Sequence, residues 1–180
     1  SSLQPQGKEL TKEHRMKILV QSAIIAVILA AILTTGFQCA SAELTSAKLY
    51  IQRKDFQNAM KQLEKEVEKN PKSEEGYFLL GQVRQELRDY QGMKEAFDKA
   101  LSIGPVHQKE IQSIKLGIWG RLFNEAVEEI NKATDSSASV DKAITAFTMA
   151  TVVMPESVMT RRNLGLAYYR KEDIPNAIVN

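Results

Sequence analysis

Apolar and polar residues along this chain follow two regimes. From Ile18 to Ala42 there are 25 residues without a formal charge, and Ile18 to Phe37 is apolar apart from Gln21, Ser22, Thr34 and Thr35. Beyond Glu43 the apolar positions are spaced as on helices buried along one side. Met93, Phe97, Ala100 and Leu101 recur at i, i+4, i+7 and i+8, the stripe of an amphipathic helix. Tyr77, Leu80, Gly81 and Arg84 share a face one helix earlier, and Asp89-Tyr90 marks the turn between the two. Pro105 ends the pair, since it has no N–H and disfavours helix in the residue before it.

This helical pair repeats. Asp55-Phe56 recurs as Asp89-Tyr90, Pro71 as Pro105 and Leu63 as Phe97, each after 34 residues. Ala59 aligns with Met93, and Ala143 with Ala177, at the same interval, while Met93 to Ala143 is 50. A fixed period of this length marks an array of supersecondary units. The predicted units are residues 40–73, 74–107, 108–157 with a 16-residue insertion, and an incomplete one at 158–180. In the third, Ile111, Ile114, Ile118, Trp119, Leu122, Phe123, Ala126, Val127, Ile130 and Ala133 keep helical spacing. One long helix from about Lys109 to Ala133 is expected, projecting beyond the stack, or two shorter ones broken near Gly117 or Gly120. The linker 134–139 would come next, with Ser139 or Asp141 as helix cap.

Tyr77…Leu80-Gly81…Tyr90…Phe97…Ala100-Leu101…Pro105 resembles the tetratricopeptide repeat pattern, and Asn163-Leu164-Gly165…Tyr168-Tyr169…Asp173 is similar to the first half of another. The resemblance covers residues 40 to 180 and implies an all-α, right-handed α-solenoid of antiparallel helix pairs, preceded here by an apolar leader helix. It also implies a scaffold that holds a protein or peptide in a concave groove lined by each unit's first helix. Carried onto this chain, that lining includes Leu44, Lys48, Ile51 and Gln52, then Glu75, Phe78, Gln82, Gln85 and Glu86, then Met159, Arg162, Leu166, Tyr169 and Arg170. Lys48, Ile51, Phe78, Gln82, Gln85, Arg162, Leu166 and Tyr169 are the candidate partner-binding residues, with Phe78, Arg162 and Tyr169 foremost because aromatics and Arg are enriched at hot spots.

Charge adds a direction to the leader. Lys8, Lys12, Arg15 and Lys17 against Glu9 and Glu13 supply the net +2, leaving 20 basic and 20 acidic residues from Glu43 onward. A basic flank before an apolar stretch of about 20 residues, the span of a bilayer core, sends the downstream chain across the membrane. Residues 1–15 are then upstream or added sequence, Met16 the natural start, and 16–42 a signal peptide or transmembrane anchor ahead of a repeat domain over 43–180. Ala40 and Ala42 fit cleavage after Ala42, an uncleaved anchor is the second outcome, and lipid attachment at Cys39 the third, although Phe37-Gln38 departs from the usual site. The repeats are expected outside the cytoplasm, exported, periplasmic or anchored in the cytoplasmic membrane.

No catalytic chemistry emerges, and no cofactor or metal is expected. The single cysteine excludes an internal disulfide and a Cys-based zinc site, His14 and His107 have no ligand spacing, and there is no phosphate loop or nucleophile elbow. Glu64, Glu66, Glu68, Glu128 and Glu129 read as the solvated sides of amphipathic helices. The neutral body gives no reason to expect nucleic acid. The expected role is a scaffold for protein–protein interaction in bacterial cell-envelope assembly. The alternatives are the N-terminal recognition arm of a larger enzyme that continues past Asn180, or an envelope lipoprotein modified at Cys39.

Overall fold

Six of the helices begin on a side chain that accepts the backbone N–H three residues on, which fixes where each helix starts. Ser41, Ser73 and Ser157 do this for Leu44, Gly76 and Thr160, and Asp55, Asp89 and Asp173 for Asn58, Gly92 and Asn176. In the first, second and fourth pairs serine thus opens the first helix and aspartate the second. The computed structural model describes residues 17, 20, 21, 41–132 and 137–179, and it separates a unit over 1–39 from one over 40–180. The second unit contains α1 (Ala42–Gln52), α2 (Phe56–Lys69), α3 (Glu74–Glu86), α4 (Tyr90–Ile103), α5 (Gln108–Lys132), α6 (Ser137–Val153), α7 (Val158–Arg170) and α8 (Ile174–Val179). Among the described residues there is no strand.

The first helices of the first, second and fourth pairs close in the same way. The N–H of Asp55, Asp89 and Asp173 donates to the carbonyl of Tyr50, Arg84 and Tyr168, five residues back, at 2.9, 2.9 and 3.0 Å. The residue before each aspartate, Lys54, Arg88 or Glu172, takes a left-handed φ of 58°, 60° or 63°. This closure satisfies end carbonyls and turns the chain straight into the next helix.

The pairs stack through three apolar clusters. Leu44, Ala47, Ala59, Leu63, Leu80, Val83 and Ala96 join the first pair to the second. Phe78, Met93, Phe97, Ile111, Ile118, Leu122, Ala150 and Val153 join the second to the third. Ala126, Ala143, Phe147, Leu164 and Ala167 join the third to the fourth. Gly81 lets two helices meet, because a Cβ there would lie 2.4 Å from ring atoms of Phe97.

Three expectations change. The long helix is unbroken over 25 residues, but its apolar face is covered from Ile111 to Ala126 by two different clusters, so it bridges the stack. Ser139 and Asp141 are not caps. They lie inside α6, which starts at Ser137, and residues 133–136 fall outside the described part. Glu66 is not on a solvated face. It is 3% exposed, and its carboxylate accepts from the Ser41 hydroxyl and, at 3.3 Å to each oxygen, from the Asn70 amide.

Most of the leader, with Cys39 and Ala40, also lies outside the described residues, and Ala42 is the first residue of α1. Among the described residues, no helix is long and apolar enough to cross a membrane.

Candidate binding face of the first helices

The 34-residue interval places one residue of each first helix at each position of a shared face, with 50 residues across the third unit. Lys48, Gln82, Leu116 and Leu166 form one such set, and Ile51, Gln85, Trp119 and Tyr169 another. Lys48 Nζ meets Glu75 Oε1 at 2.7 Å, so α1 and α3 are linked at this point by an ion pair. Gln82 and Gln85 are half-buried, and Ile51 packs against the first cluster.

A third set, Leu44, Phe78, Gln112 and Arg162, corrects the lining. Leu44 is buried in the first cluster, and Phe78, at 8% exposure, is a core residue. The cause is the connection into α5. The His107 ring stacks on Phe78 at 4.1 Å and 16°, and its backbone N–H donates to Glu74 Oε1 at 3.1 Å. That loop covers the position which, in isolation, reads as open.

The open part of the face is on α7. Leu166 is 53% and Tyr169 65% exposed, and Met159 and Arg162 are exposed on the same stripe. Arg162 has no acidic partner among the described residues, whereas its neighbours are engaged. Arg161 donates to the Pro155 carbonyl, Arg170 to the Ile130 carbonyl at 3.0 Å, and Lys171 pairs with Asp141 at 2.7 Å. The last contact holds the Lys171 ammonium above its ordinary value. A cation amid exposed Met, Leu and Tyr side chains can meet an acidic group flanked by apolar ones.

Sequence reasoning missed Leu116, which is 56% exposed on α5. The same 34-residue interval from Gln82 would have found it. Trp119 faces inward, its Nε1–H donating to Thr160 Oγ1 at 2.8 Å. Among the described residues no group of three His, Cys, Asp or Glu side chains is placed to hold a metal ion.

Residues 74–107, the pair α3–α4, match the family model described as a tetratricopeptide repeat. This pair is similar to a tetratricopeptide repeat. Its left-handed Arg88, Asp89 cap and Gly81–Phe97 approach are the features against which the other pairs can be read, and the first and fourth pairs share the closure and cap. No curated protein matches the chain. Among solved structures the chain is similar to a crystal structure of MamA protein, at 22% identity over 76% of this chain and 66% of that one, with a TM-score of 0.35. It is also similar to a crystal structure of MamA, at 21% over 96% and 90%, TM-score 0.37. A third is the MamA RS-1 ArsTM double mutant, at 20% over 76% and 86%, TM-score 0.38. The chain spans just under two thirds of the first of these, and superpositions this loose transfer no property to it.

Proposed function

We propose that the protein is a tetratricopeptide-type scaffold, exported or tethered to the cytoplasmic membrane, that holds a protein or peptide partner on the face of its first helices and serves cell-envelope assembly. The observation that carries this reading is the stripe Met159, Arg162, Leu166 and Tyr169 on α7, which combines aliphatic, aromatic and guanidinium groups in the open. Such mixtures supply much of the energy of protein interfaces, because a large rigid side chain excludes water around a charged or polar bond. Lys48, Gln82, Gln85 and Leu116 extend the same face toward the first pair with bonding groups of both kinds. Ile51 and Phe78 shape it from behind. The leader from Met16 supplies the location in this reading, with Lys17 at its start kept in the cytoplasm.

The test is copurification of the full chain from envelope fractions, followed by affinity measurement on the partner identified. Tyr169→Ala or Arg162→Ala is expected to weaken binding about tenfold or more with unchanged helicity, the loss typical of an interface anchor. Binding unaltered by both substitutions removes the face from this role.

A further inference from the structure

Ala40-Ser41-Ala42 has the small residues a signal peptidase accepts, yet the structure gives Ser41 work inside the first repeat. It is the N-cap of α1, with φ −59° and ψ 159°. Its Oγ accepts the Leu44 N–H at 3.0 Å, its carbonyl accepts the Thr45 N–H at 3.0 Å, and its hydroxyl donates to the buried Glu66 carboxylate. A cut after Ala42 would remove all three at once. Glu66 would keep only the Asn70 amide, and a buried carboxylate needs its partners. The new α-ammonium of Glu43 would also stand at the positive end of the helix dipole.

We propose that the Ala42–Glu43 bond stays intact in the working protein, with Ser41 retained as the first structural residue of the repeats. Any processing then falls upstream of Ser41, and an unprocessed leader remains joined to the repeats as a tether. The inference gives the proposed exported or tethered role its boundary and rests on that reading for its biological sense.

Two measurements on the full chain test it. Mass spectrometry of the chain from membrane and exported fractions is expected to find peptides in which Ser41 is joined through Ala42 to Glu43. A mature species beginning at Glu43 overturns the inference. In the purified full chain, Ser41→Ala is expected to speed hydrogen exchange of the α1 segment roughly fivefold, the usual effect of losing a cap, and Ser41→Thr to restore slow exchange. Exchange unchanged by Ser41→Ala also overturns it. A chain that stays uncut in the cytosol, yet shows the exchange effect, upholds the inference and sinks the exported reading instead.

Discussion

The indole Nε1–H of Trp119 donates to Oγ1 of Thr160 at 2.8 Å, tying the middle of the long helix α5 to the first turn of α7. Thr160 is fully buried, and its hydroxyl donates in turn to Oγ of Ser157, the cap of α7, at 2.8 Å. The third pair, lengthened by its insertion, is thereby joined to the fourth through one tryptophan, the only one in the sequence. Thr160→Val removes the acceptor while keeping the shape. It is expected to cost about 1–3 kcal/mol, the penalty of stranding a polar group in the interior, and to shift Trp119 fluorescence. Thr160→Ser, which keeps the hydroxyl, is expected to leave the emission close to that of the parent chain.

Glycines in this array divide by what surrounds them. Gly117 and Gly120 lie inside α5 with open space where a Cβ would go, so each adds flexibility to the helix without serving a close approach. Replacing either with Ala is expected to stabilise the protein by about 0.5–1 kcal/mol. Gly81→Ala is expected to destabilise by about 1–3 kcal/mol through its collision with Phe97. Denaturant unfolding of the three variants, followed by circular dichroism, distinguishes these signs.

At the closure of α3, Arg88 holds a φ of 60°. A side chain there is strained, and glycine is not. Arg88→Gly is expected to raise stability by about 1 kcal/mol and Arg88→Val to lower it by at least as much. If both variants unfold at the same denaturant concentration as the parent, the closure is not strained as described.

Acid should weaken the start of the array. The Asp55 carboxyl is held below its ordinary value of 3.8, chiefly by the Asn58 side-chain amide and then by its backbone N–H. Glu43 is held below 4.5, chiefly by the Lys69 ammonium. A carboxylate with a lowered folded value contributes stability that is complete above its unfolded value and is lost as pH falls through the folded one. Helicity of α1 and α2 is therefore expected to hold from pH 7 to about 5 and to weaken below about 4. Asp55→Asn, which still caps but does not titrate, is expected to make the amide exchange of α2 less sensitive to acid. Equal sensitivity in both chains would show that this cap does not carry the effect.

The helical pairs were legible because a 34-residue interval repeats both their apolar stripes and their turn residues. The 25-residue helix was legible too, since its apolar positions continue across Gly117 and Gly120. What escaped depends on neighbours distant in sequence. Phe78 reads as open until the loop carrying His107 is folded over it. Glu66 sits among charged residues in sequence, yet a serine 25 positions earlier brings it inside. The left-handed residues are Lys, Arg and Glu rather than Gly, so nothing in their identity announces the turn. Ser139 and Asp141 look like caps locally, but α6 already begins at Ser137 and runs through both.

The claim that the first-helix face is where a partner is held can be tested by site-specific photocrosslinking in cells producing the full chain. A crosslinker at Leu166 is expected to yield a covalent adduct with a second protein, and Tyr169→Ala in the same chain is expected to abolish it. The same crosslinker at Lys61, exposed on the second helix α2, is expected to yield none. Adducts of equal yield at Lys61 and Leu166, or none at Leu166, would contradict the account.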